Sequence, residues 1–302
     1  MARRWPGRRR GHWQAADRSA EELPTRVAAA RAAERVFGYA EAAGHWLRAI
    51  ELCQAMPDAA GAAGIAVPQL YVWAIDALEN SGESTRAGRV AEEAYHRFAG
   101  EPDTAAVICQ RAAQFRAIES PAAGLPLIKQ ALQLFGQAPP SAEHAKAWYD
   151  YAISFLKVAE GRLEDHRRAL HRALEIAEAA GATAVIPRVL GTLAHDALLG
   201  GQVEEGLAFL RRGQLLAQAA VDGLALVYLA VVDSDARLKL AKFREAAEAA
   251  VLGLGTAGRA GLARSWRADV LAVNAAEALL GPGAHRRGSS RDRSSDPRAA
   301  RS

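Results

Sequence analysis

Residues 200–242, GGQVEEGLAFLRRGQLLAQAAVDGLALVYLAVVDSDARLKLAK, run from one turn signal to the next. Gly200-Gly201 opens the stretch and Lys242 closes it. Between them lie two helical segments, Val203 to Ala219 and Leu224 to Ala241. The layout recurs along the chain, with turn signals at Gly38, Ser81-Gly82, Pro121, Gly161, Gly200-Gly201, Lys242 and Gly281. Their spacings are roughly 44, 39, 40, 40, 41 and 39 residues, the length of one helix pair. Such a pair cannot bury its apolar stripe alone, whereas stacked copies bury it together. The chain is therefore expected to be all-α.

Working outward, the repeats pair Pro24–Phe37 with Tyr39–Met56, Val67–Asn80 with Ser84–Phe98, and Asp103–Ile118 with Ala122–Phe135. The fourth runs from an N-cap at Ser141 to Ala159, turns at Gly161 and returns as Leu163–Ala180. The fifth is Ala184–Leu199 with Val203–Ala219, and the sixth Leu224–Ala241 with Phe243–Ala257. A seventh first helix, Ala263–Leu280, has no partner, which leaves Val270, Leu271, Leu279 and Leu280 open and suggests self-association through residues 263–280. Within Tyr39–Met56, Ala42, Trp46, Ala49, Ile50 and Cys53 form one apolar stripe. Pro57-Asp58 ends that helix. Alanine, the strongest helix former, fills most helical positions, and no run alternates with period two as a strand would.

The net charge of +4 comes from the ends. Residues 1–10 hold five arginines and no acid, and residues 282–302 hold six arginines against two aspartates, so the body between carries −5. A basic tail suits nucleic acid or an anionic surface. Arginine without lysine, mixed with Gly, Ser, Pro and Ala, also arises when GC-rich DNA is translated past a misplaced start or frameshift. Residues 1–18 and 282–302 are expected to be disordered tails without function, around a repeat domain over 19–281. Cys53 and Cys109 lie in helical patterns without metal spacing and read as buried free thiols. No apolar h-region follows the first arginines, and no apolar run reaches membrane length. The expectation is a cytoplasmic protein.

Motifs for chemistry are sparse. Gly253-x-Gly255-x-x-Gly258 matches the dinucleotide fingerprint as a string, but no strand delivers it. Its plain reading is a glycine-weakened helix end. No P-loop sequence is present, so no nucleotide cofactor is expected, and the eight histidines show no metal spacing. Glu204 and Glu205 open a helix, where acids suit its dipole. Asp233-Ser234-Asp235 is more telling, because two acids within an apolar helix are costly unless they face a groove or a partner.

Aligning the first helices on their turn signals groups Asp76, Arg111, Gln114, Tyr151, Ser154, His195, Asp196, Asp233, Asp235 and Asn274. Two readings stand side by side: a ligand or partner groove, or solvated polar residues and inter-repeat hydrogen bonds. Trp73 and Trp148 read as core aromatics before groove aromatics. An enzyme built on Asp233, Asp235 and His195 has no motif behind it, so no catalysis is expected.

Several strings carry a family resemblance. They include His45-Trp46-Leu47-Arg48-Ala49-Ile50-Glu51-Leu52, Ala77-Leu78-Glu79-Asn80-Ser81-Gly82, Arg111-Ala112-Ala113-Gln114-Phe115-Arg116 and Arg172-Ala173-Leu174-Glu175-Ile176-Ala177. Glu204-Glu205-Gly206-Leu207, Asp233-Ser234-Asp235 and Asn274-Ala275-Ala276-Glu277-Ala278-Leu279 continue them. In order and spacing, from about Ala29 to Leu280, the chain resembles the central region of large ATP-binding LuxR-type regulators of the MalT-like group. The resemblance implies a right-handed superhelix of about six and a half tetratricopeptide-like repeats, whose concave face receives a small-molecule inducer or a protein partner. That family's NTPase and helix-turn-helix modules have no counterpart in these residues, so neither ATP hydrolysis nor specific DNA binding is implied. The expectation is a sensor or interaction module, a fragment of such a regulator. The alternative is a stand-alone tetratricopeptide adaptor touching nucleic acid through its Arg-rich tails.

Overall fold

The computed structural model describes residues 22–56, 61, 64–101, 104–156 and 163–281. The expected tails at 1–18 and 282–302, the Pro57-Asp58 stop and the Gly161 turn lie outside the described residues. Among these, thirteen α-helices and no strand are found. None of the described helices is long and apolar enough to cross a membrane.

Contacts divide the chain into two units, residues 1–185 and 186–302. The first unit holds α1 (22–35), α2 (Tyr39–Ala55), α3 (Val67–Ser81), α4 (Ser84–Phe98), α5 (Ala105–Glu119), α6 (Pro121–Phe135), α7 (Ala142–Tyr151) and α8 (Leu163–Ala179). The second holds α9 (Ile186–Leu199), α10 (Val203–Ala219), α11 (Gly223–Lys239), α12 (Phe243–Arg259) and α13 (Trp266–Leu280). In the second unit each helix packs on its chain neighbour, and first helices also touch the next first helix, α9 on α11 and α11 on α13. The first unit repeats the rule, with α3 on α5 and α5 on α7.

One register explains why these sequences stack. Counted from its first residue, each second helix buries its fourth, eighth, eleventh and fifteenth residues, steps of four, three and four that hold one helical face. In α10 these are Gly206, Leu210, Gly213 and Ala217; in α12 they are Ala246, Ala250, Gly253 and Ala257. The eleventh residue is Ala49, Ala94, Ala131 and Ala173 in α2, α4, α6 and α8. Small size is what the site demands. A Cβ on Gly253, at the eleventh place of α12, would lie 2.7 Å from Ala230 Cβ and 3.0 Å from Leu271, and one on Gly206, at the fourth place of α10, 2.5 Å from Leu198 Cγ.

The turns have a register of their own. Gly181, Gly201, Val221, Ala241 and Gly261, twenty residues apart, all have positive φ. Each follows a helix end closed by the paired bonds of a Schellman motif. For Val221 these are Val221 N–H to the Gln218 carbonyl at 3.1 Å and Asp222 N–H to the Ala217 carbonyl at 2.9 Å. From Gly181 to Gly261 both connections, within and between pairs, therefore use one geometry, and there the forty-residue beat is two beats of twenty.

Most expected boundaries agree with the structure within two or three residues, and Ser141 caps α7 through a bond from His144 N–H to its Oγ at 3.1 Å. Three features differ. Leu271 is not open: it is fully buried against α12, where a Cβ on Gly253 would meet it at 3.0 Å. Val270 is half-buried, while Leu279 and Leu280 are exposed. Gly255 and Gly258 fall in the closing turns of α12, which runs to Arg259, but Gly253 lies further in. Gly253 is instead one of its packing positions. Finally, α7 does not continue to Ala159 as an α-helix. It passes into a π turn at Ala152–Leu156.

Candidate functional site

The polar residues grouped from the sequence fall on the first helices, where Asp76, Arg111, Gln114, His195, Asp235 and Asn274 bond one helix to the next. In the first unit, α3, α5 and α7 carry a connected row. Arg111 on α5 is buried, its side chain 2% exposed. Its Nη2 lies 3.1 Å from Asp76 Oδ2 on α3 and 3.5 Å from Glu143 Oε2 on α7, and its Nη1 donates to Gln110 Oε1 at 2.8 Å. Gln110 Nε2 in turn donates to Asp150 Oδ2 at 2.6 Å. Lys146 Nζ bridges that oxygen, at 3.1 Å, and Gln114 Oε1, at 3.2 Å. Burial on its own lowers the pKa of the Arg111 guanidinium, but the carboxylates of Asp76, Glu143 and Asp150 outweigh it and hold it above its ordinary range. The Arg111 charge is thus committed within the protein. Asp76 and Glu143 keep side chains 39% and 40% exposed, so a molecule reaching the row meets carboxylates first.

Tyr151 and Ser154 do not join this row. Tyr151 lies at the edge of the apolar cluster around Ile128 and Phe135, with ring centroids 6.0 Å from Trp148 and 6.3 Å from Phe155. Ser154 is half-buried inside the π turn. Trp73 packs 4.8 Å from Trp46 under the Arg31 guanidinium, and the Trp148 indole N–H donates to His144 Nε2 at 3.2 Å. Both tryptophans are thus engaged within the protein.

In the second unit His195 on α9 meets α11. Its Nε2 is 2.8 Å from Asp235 Oδ2, and its Nδ1 is 3.6 Å from Asp196 Oδ1. Lys239 Nζ reaches the same Asp235 oxygen at 2.7 Å. The bond from His195, helped by Lys239, lowers the Asp235 carboxyl to about 2 against the burial that opposes it. Asn274 Nδ2 on α13 donates to Ser234 Oγ on α11 at 2.9 Å, both residues buried. Asp233 turns the other way and pairs with Arg237 one helical turn on, at 2.5 Å. Asp233 and Asp235 are therefore not a carboxylate pair sharing a proton. Each acid in the apolar helix has its own cation.

Sequence reasoning missed Gln110, Glu143, Lys146, Asp150 and Lys239. A signal was available. Gln110–Asp150, His195–Asp235 and Ser234–Asn274 are all separated by forty residues, the repeat length itself. Equivalent positions of successive first helices touch, so a polar residue forty away is the first partner to look for.

The class defined is an all-α array of helix pairs whose first helices are joined by buried and half-buried polar bonds. No protein-family model matches this chain, and no curated protein matches its sequence.

Proposed function

We propose that the chain is a tetratricopeptide-like scaffold, wound as a right-handed superhelix, that binds a small inducer or a segment of a partner protein on its concave face. In this reading it is the sensor portion of a LuxR-type regulator and performs no catalysis. One observation carries the proposal. Six second helices share one four-position packing register with small residues at the eleventh place, which is the pattern that lets helix pairs stack indefinitely and present their first helices as a continuous surface. On that surface the half-exposed carboxylates of Asp76 and Glu143, placed around the neutralised Arg111, are the groups a ligand would meet. They favour a polar or cationic group over an anion.

The test is a thermal-shift screen of the full chain against small polar metabolites and short basic peptides, repeated on Asp76→Asn and Glu143→Gln. A hit at a hundred times its Kd adds about 2.7 kcal/mol, and that shift should shrink in both variants. If every hit stabilises wild type and both variants equally, the row is not the binding surface. The regulator origin is tested separately by the flanking DNA. Coding sequence for an NTPase upstream and a helix-turn-helix downstream supports it, and unrelated genes on both sides refute it.

A further inference from the structure

The fourth residue of the second helices is Ala42, Ala87, Gly124, Gly206 and Ala246 in five of the six cases. In α8 it is His166, buried to 1% exposure. At this place the second helix comes closest to the backbone of its partner. A Cβ on Gly124 would lie 2.5 Å from the Ala113 carbonyl, as a Cβ on Gly206 would lie 2.9 Å from that of Ala194. An imidazole does not fit against an α-helix at that separation. The first helix opposite His166 is also the one with a π turn, over Ala152–Leu156, and the ring bonds to it. His166 Nδ1 lies 2.9 Å from the Ala152 carbonyl oxygen. A carbonyl only accepts, so the proton sits on Nδ1.

We propose that His166 is a wedge that holds the first helix of the fourth repeat in its π register, making this pair a two-register element: π with the imidazole in place, α without it. A π turn carries one more residue than the α turn it replaces, and such turns cluster at functional sites. Here the Ala152 carbonyl accepts from a side chain of the facing helix, at a place where the other five second helices carry only alanine or glycine. With alanine at 166, the π register would leave that carbonyl without this donor and an imidazole-sized gap beneath it, both costly in a buried place.

The register has a consequence along the helix. Tightening the π turn to α advances the residues within it around the helix, by up to about 100° at its end. Ser154 would then swing toward the direction of Phe155, whose ring now sits where a Cβ on Gly124 would meet it at 3.0 Å. Phe155 would turn off that site. The row residues Glu143, Lys146 and Asp150 precede the turn and keep their places. His166 thus sets which residues of the fourth repeat follow the row, and this stands whether or not the row binds a ligand.

The experiment places a thiol at the residue that changes environment. Ser154→Cys is made in the full chain with His166, with His166→Ala and with His166→Asn, whose side-chain amide can offer a donor close to the Nδ1 position. Labelling by a maleimide is followed under native conditions; the chain's own Cys53 and Cys109 are buried. The thiol should react at similar rates with His166 and His166→Asn, and at least tenfold slower with His166→Ala, where it packs onto Gly124. Equal rates in all three would overturn the proposal, as would a slow His166→Asn. Nitrogen-15 NMR of the wild-type ring gives a check that needs no variant. A proton on Nδ1 is expected, and a neutral ring protonated only at Nε2 would refute the bond on which the wedge depends.

Discussion

Replacing Asp150 by alanine separates the two roles open to the first-helix row. Its side chain is 3% exposed and accepts from Gln110 at 2.6 Å and Lys146 at 3.1 Å. Gln110 is fully buried, so its amide would be left without an acceptor, at about 1–3 kcal/mol. Lys146 and the buried Arg111 would lose a counter-charge as well, and breaking a buried charge network costs about 3–5 kcal/mol. Asp76 and Glu143 still neutralise Arg111, which places the expected loss near the lower end, about 3 kcal/mol. Asp76→Asn, at a half-exposed position, should cost about 1 kcal/mol or less. Urea unfolding followed by circular dichroism and by the summed fluorescence of the six tryptophans measures both. Two probes are needed because a repeat array need not unfold in one step. A double-mutant cycle of Gln110→Ala with Asp150→Ala should return a coupling above about 1 kcal/mol. If Asp150→Ala lies within about 0.5 kcal/mol of wild type, the row is not a clasp between helices, and its bonds are incidental to a surface shaped for something else.

Four further outcomes follow from the same structure. Val221 has φ of +53° and is 78% exposed, so it holds a left-handed turn with little packing in return. Val221→Gly should relieve about 1–2 kcal/mol of backbone strain, less about 0.5–1 kcal/mol of glycine's extra chain entropy, and raise the melting temperature; Gly201→Val should lower it. Gly253→Leu would drive a side chain into Ala230 and Leu271, whose atoms would stand 2.7 and 3.0 Å from its Cβ, and should cost about 2–3 kcal/mol in urea unfolding. The Asp235 carboxyl is depressed from 3.8 to about 2, so its contribution is present above pH 3.8 and lost as pH falls through about 2. His195→Ala should therefore weaken the fold at pH 5 more than at pH 2, by about 1 kcal/mol after discounting for partial exposure. The adaptor alternative, by contrast, requires duplex-DNA retention by the full chain that falls steeply with salt and vanishes when residues 1–10 and 282–302 are deleted; specific, salt-resistant binding would count against the sensor reading.

Helix placement was legible because the chain spells it in stripes and turn residues. The first-to-second-helix turns at Gly82 and Gly201 could be read from glycine. The turns around Val221 and Ala241 could be placed by spacing, but their left-handed backbone could not be read, since these residues take a glycine conformation without glycine's sequence signal. The π turn was invisible for a related reason. Its cause lies at His166, in the next helix, and nothing local to Ala152–Leu156 announces an extra residue. Among the candidate residues, position on a first helix could be read, but direction could not. Asp233 and Asp235 are two residues apart in the string and diverge around the helix, one toward Arg237 and the other toward His195.

The spacing of the bonds narrows what the row can do. Gln110–Asp150, His195–Asp235 and Ser234–Asn274 join equivalent points of consecutive first helices, so each is a contact that the stacking itself creates. Apolar side chains at those points would let neighbouring helices slide by a turn at little cost, whereas a paired amide, imidazole or carboxylate is satisfied in one register only. Buried polar pairs of this kind contribute specificity more than stability. A ligand competing for Gln110, Asp150 or Asn274 would have to break the stack to bind. The side chains that can meet a ligand without that penalty are those at the margin, Asp76 and Glu143 foremost, and a binding site on this protein is to be sought around them.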